Sequence, residues 1–90
     1  MSGFLTAVDD YLNELRVARR ASPHTISNYH RDLKAVASAA KARNILSWQA
    51  LQANDIRAIV AEQHREGIAG RSLARRLSAV RGLFNYLVAH

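Results

Sequence analysis

The stretch SPHTISNYHRDLKAVASAA, residues 22–40, decides the fold class. Ser22 followed by Pro23 is a helix start: a hydroxyl can accept from the first unpaired N–H groups, and proline, which lacks an N–H, fits the first helical position. Behind it Ile26, Tyr29, Leu33, Val36, Ala37 and Ala40 recur at three- and four-residue intervals, one stripe of an α-helix. The helix should fade near Arg43 and Asn44. Upstream, Phe4, Val8, Tyr11, Leu12 and Leu15 make a similar stripe, with Asp9, Asp10, Asn13 and Glu14 between them and Arg16, Arg19 and Arg20 at the end, an order that suits the helix dipole.

Downstream, Ile45, Leu46, Trp48 and Leu51 are too few for a full helix and predict a packed turn that plugs one end of the core. Asn54 is the expected cap of a third helix carrying Ile56, Ile59, Val60 and Gln63 inward, and Gly67 its stop. A fourth helix is expected from about Arg71 to Ala89, its stripe formed by Leu73, Leu77, Val80, Phe84 and Leu87. There is no alternating apolar run and no internal repeat. The expectation is an all-α, compact four-helix domain with short joints.

Composition narrows the function. Ninety residues allow one small domain. Sixteen alanines make a thin helical core, and the absence of cysteine excludes a disulfide framework or a thiolate metal cluster. No apolar run approaches the roughly 18 residues of a membrane span, so a soluble, cytoplasmic protein is expected.

Thirteen Lys and Arg against seven Asp and Glu give a net charge of +6, which favours polyanions, nucleic acid first. The charge is unevenly placed. Opposite the fourth-helix stripe lie Arg71, Arg75, Ser78 and Gly82, flanked by Arg76 and Arg81, and no acid occurs from Arg71 to His90. Ser72, Ser78, Ala79 and Gly82 should let that face approach another surface closely. Opposite the second-helix stripe stand His24, Asn28 and Arg31, with Lys34 beside them. Arginine forks suit guanine edges and phosphates, and asparagine suits adenine edges. Asp9, Asp10, Glu14, Glu62 and Glu66 fall on the other two helices; Asp32, in the second, is the exception.

Catalytic patterns are missing. No nucleophile elbow surrounds a serine, and His24, His30, His64 and His90 have no spacing that would share a metal. The Gly67 to Gly70 turn lacks the Lys-Ser/Thr of a phosphate-binding loop and reads as a helix stop and restart. No metal or other cofactor is expected.

Residues 22–33, SPHTISNYHRDL, resemble the opening of the second helix of tyrosine site-specific recombinases and phage-type integrases, and residues 72–87, SLARRLSAVRGLFNYL, resemble the fourth helix of the same N-terminal core-binding domain. The joint LSWQ at 46–49 and the run RLSAVR at 76–81 look most like the Xer family, its XerC branch more than its XerD branch. The resemblance implies a SAM-like helical domain, residues 1–90, that clamps double-stranded DNA at a recombination half-site. It also implies a separate catalytic domain, absent from this chain, whose tyrosine would join DNA covalently without metal or ATP. A XerD-like recombinase would be the partner in a heterotetramer resolving chromosome dimers, and the exposed first helix could meet a neighbouring protomer. Carried onto this sequence, the DNA contacts are His24, Thr25, Asn28, Arg31, Lys34, Arg71, Ser72, Arg75 and Arg76. Two other readings stay open: a protein–protein interaction domain whose basic face meets an acidic partner, and nonspecific phosphate binding at the 67–70 turn.

Overall fold

Four helices follow one another in the computed structural model, which describes residues 3–89: α1 (Phe4–Val17), α2 (Pro23–Ala42), α3 (Ala53–Arg65) and α4 (Gly70–Ala89), with a single 3-10 turn, Trp48–Ala50, between α2 and α3. No strand occurs among the described residues. His90 lies outside them.

The ends of the helices are set by local chemistry. Ser22 Oγ accepts the Thr25 N–H at 3.2 Å, so the Ser-Pro start works as expected. Past the end of α2, Asn44 adopts a left-handed conformation (φ 62°). Its N–H reaches the Lys41 carbonyl and that of Ile45 reaches the Ala40 carbonyl, both at 2.9 Å. Gly67 (φ 101°) repeats this pattern after α3, its N–H donating to His64 O and that of Ile68 to Gln63 O, both at 3.1 Å. Both ends therefore satisfy carbonyls that the helix cannot, using the two residue types that tolerate positive φ best.

The start of α3 differs from expectation. Gln52, not Asn54, is the cap residue, because Asp55 three positions on accepts the Gln52 N–H at 2.9 Å and draws the helix start upstream. Asn54 lies in the first turn and accepts a hydrogen bond from Arg57.

All five apolar residues of the α1 stripe are buried, as are Leu33, Val36, Ala37 and Ala40 of α2 and Ile59 and Gln63 of α3. Trp48 closes the core at one end. It is 1% exposed, meets Phe4 edge-on at 4.9 Å and Phe84 at 6.2 Å, and donates its indole N–H to the Phe4 carbonyl at 3.0 Å. The ring buries a large apolar surface while its one polar atom keeps a partner.

α4 is turned about its axis relative to the expected stripe. Its buried residues are Leu73, Arg76, Ala79, Val80 and Leu83, whereas Leu77, Phe84 and Leu87 are only half-buried. Ala79 is fully buried. Gly82 packs beneath Tyr11 of α1: a Cβ there would collide with the Tyr11 hydroxyl and lie 3.0 Å from its Cζ. These small residues thus serve close helix packing and not the outward face assigned to them from the sequence. The reason is tertiary: α4 must bring Arg76 inward and admit the Tyr11 ring.

Candidate nucleic-acid interface

The two faces marked out in the sequence meet where α2 packs against α4, and their junction is built on Asp32. This carboxylate is fully buried. Arg75 grips it with two donors, Nε to Oδ2 at 2.7 Å and Nη2 to Oδ1 at 3.0 Å. Arg76 adds a third, Nε to Oδ1 at 3.2 Å, and passes its Nη1 on to Gln63 Oε1 of α3 at 2.6 Å. One network therefore ties α2, α3 and α4 together. No buried side-chain nitrogen or oxygen lacks a hydrogen-bond partner among the described residues. The hydrogen bonds to Asp32 hold the Arg75 guanidinium above its ordinary pKa, outweighing the opposite effect of burial.

The candidate contact residues fall into two groups. His24, Arg31 and Lys34 of α2 and Arg71 of α4 are exposed, and Thr25, Asn28, Ser72 and Arg75 are half-buried. His24, Asn28 and Arg31 share one face of α2 by their spacing, and Asn28 Oδ1 lies 3.5 Å from Arg31 Nη1, a long contact. Thr25 is held near Ser22, the two hydroxyls 3.1 Å apart. Arg71 opens the first turn of α4. Arg76, by contrast, is 7% exposed and has donors committed to Asp32 and Gln63.

With α4 turned as it is, Arg81 and Asn85 join Arg71 and Ser78 on its solvent side. The sequence placed Arg81 beside the apolar stripe because it could not show which way the helix would roll. The role of Asp32 was also missed, although a lone acid in an otherwise acid-free helix was its signal.

The electrostatic result is simple. Asp32 is the one acid in α2, α4 has none, and Asp32 is buried. The solvent surfaces of both helices consequently present Arg31, Lys34, Lys41, Arg71, Arg75 and Arg81 without a carboxylate among them. Phosphates approaching this surface meet exposed cations, with only the buried Asp32 of these two helices offsetting part of their charge. Elsewhere, an open groove of about 540 Å³ between α1 and α2 is lined by Leu12, Ala21, Pro23 and Ile26 with Ser27 and His30 at its side. Among the described residues no group of His, Asp and Glu could hold a metal ion, and no helix is long and apolar enough to cross a membrane.

Comparison with known proteins places the chain in a family. Residues 8–90 match the family described as phage integrase, N-terminal SAM-like domain. The chain is 49% identical over 80 residues to a tyrosine recombinase XerC of Pseudomonas fluorescens, covering 89% of this chain and 27% of that protein. It is 46% identical over the same length, with the same coverage, to the tyrosine recombinase XerC of Stutzerimonas stutzeri. The chain thus spans about a quarter of the length of these curated relatives. No solved structure matches it.

Proposed function

The chain belongs to the phage-integrase N-terminal SAM-like domain family, and from that membership we propose that it is the DNA-gripping domain of a XerC-like tyrosine recombinase. Its task is to hold one recombination half-site through α2 and α4 while strand exchange is carried out by a catalytic domain that these 90 residues do not supply. The acid-free surface formed by those two helices supports this most directly. DNA carries a phosphate for about every 1.7 Å of duplex, so several exposed cations on two adjoining helices suit its backbone.

Within that proposal the exposed cations Arg31, Lys34 and Arg71 act on phosphates, which need charge and reach more than fixed aim. Arg75, whose guanidinium Asp32 holds with two hydrogen bonds, acts where direction matters, at a base edge or a fixed phosphate, and the half-buried Asn28 acts at a base edge. Arg76 contributes by packing. The partner is double-stranded DNA together with a XerD-like recombinase in a heterotetramer, the process is resolution of chromosome dimers, and the setting is the cytoplasm.

Fluorescence anisotropy of the domain with a Xer-type half-site duplex, beside a scrambled duplex of equal composition, tests this at several salt concentrations. Tighter binding to the half-site, with log affinity falling steeply against log salt, is expected. Arg71→Ala should weaken binding to both duplexes and reduce the salt slope by about one unit. Failure to bind either duplex at low salt overturns the proposal and favours a protein partner for the basic face.

A further inference from the structure

We propose that Asp32 is a positioning residue for DNA recognition, a buried carboxylate that holds the Arg75 guanidinium in one orientation at the protein surface. This rests on α2 and α4 forming the DNA-binding face, as proposed above, and goes beyond it in assigning a role to a residue that cannot itself touch DNA.

The geometry gives one carboxylate two different tasks. Neighbouring residues in a helix point about 100° apart, so Arg75 and Arg76 reach Asp32 from different sides. Asp32 lies between them. On one side Arg76 is buried, with Nε on Asp32 and Nη1 on Gln63. On the other, Arg75 keeps 34% of its side chain exposed although its Nε and Nη2 are both engaged by Asp32. Its remaining nitrogen, Nη1, has no hydrogen-bond partner among the described residues. Two parallel hydrogen bonds from a rigid, buried acceptor fix both the position and the plane of a guanidinium, as one bond or a bare charge would not.

An unrestrained surface arginine must surrender its rotamer freedom when it docks, whereas Arg75 has surrendered it on folding. The arrangement is also a weak choice for stability alone, since a buried ion pair seldom outperforms packed apolar side chains of the same volume. Its distinctive product is direction. Asp32 also offsets part of the positive charge, so it limits indiscriminate attraction to DNA while it sharpens the aim of one donor group.

The test is a double-mutant cycle in half-site preference, the ratio of affinities for the half-site and the scrambled duplex, with helicity followed by far-UV circular dichroism. Asp32→Asn keeps the shape and removes the charge. It should lower the preference about three- to tenfold while affinity for the scrambled duplex holds or rises, and in an Arg75→Ala background it should lower the preference no further. Arg75→Lys, which keeps the charge but not the fork, should also lower the preference while leaving the salt slope unchanged.

Should Asp32→Asn fail to fold, Asp32→Asn/Arg76→Gln removes the buried guanidinium along with its counter-charge and carries the same expectation. An unchanged preference in the folded variant overturns the proposal. So does an equal loss in the Arg75→Ala background, which would mean that Asp32 acts through the fold as a whole. If the wild-type domain binds both duplexes equally, the positioning role is overturned while DNA binding stands; if it binds neither, both are overturned.

Discussion

Replacing Trp48 by alanine should remove much of the domain's stability. The side chain is 1% exposed, sits edge-on to Phe4 and Phe84, and spends its only polar atom on the Phe4 carbonyl at 3.0 Å. Emptying a site of this kind costs about 3–5 kcal/mol, the transfer term plus the cavity left behind. A domain of this length has a total stability of about 5–13 kcal/mol, so Trp48→Ala should remove between about a quarter and all of it. Trp48→Phe separates the contributions, since it keeps one ring but loses the N–H donor, and should cost about 1–3 kcal/mol. Urea unfolding followed by far-UV circular dichroism is the suitable assay, because the substitution removes the fluorophore. The midpoint should fall with little change in the dependence on urea. A Trp48→Ala domain within about 1 kcal/mol of wild type would refute the plug, as would a native tryptophan emission matching that of a water-exposed indole.

Three further outcomes follow from the packing. Gly82→Ala should destabilise the domain by about 1–3 kcal/mol despite alanine's better helix propensity, because its Cβ would strike the Tyr11 hydroxyl; Tyr11→Phe in the same background should recover part of the loss in a urea titration. Gly67→Ala should cost about 1–2 kcal/mol, since φ 101° is strained for any residue with a Cβ, and thermal unfolding would read it. Burial, reinforced by Tyr29 and opposed more weakly by Arg19, holds the Tyr11 phenol above its ordinary pKa of 10.0. Above pH 10 the unfolded chain therefore releases this proton first, and stability should fall with rising pH. Tyr11→Phe should fall less steeply over the same range, so matching wild-type and Tyr11→Phe slopes would contradict the assignment.

The four-helix architecture was legible because it rests on local rules. Stripes at helical spacing, the Ser22-Pro23 start and the Gly67 stop each act within a few residues of chain, and four helices form within a residue or two of where such signals put them. Even Trp48 could be read, since a short apolar run between two helices has few places to go. The errors were of two kinds. Capping competes among near neighbours, so Asp55 made Gln52 the cap instead of Asn54. The roll of α4 depended on residues far away, and a helical wheel counts arginine as outward by default. Arg76 turns inward because Asp32, 44 positions earlier in the chain, receives it, and Gly82 faces α1 because the Tyr11 ring needs its missing Cβ.

By itself the sequence determined that this protein is a small helical domain with a cationic bias, and its two helix signatures pointed to the phage-integrase N-terminal SAM-like domain family that the comparisons establish. Tertiary structure alone decided which cations reach solvent. A buried charge is tolerable only beside its counter-charge, so folding had to pair Asp32 with Arg75 and Arg76. That pairing drew one arginine into the core, held the other at the surface and left the exposed faces of α2 and α4 free of acid.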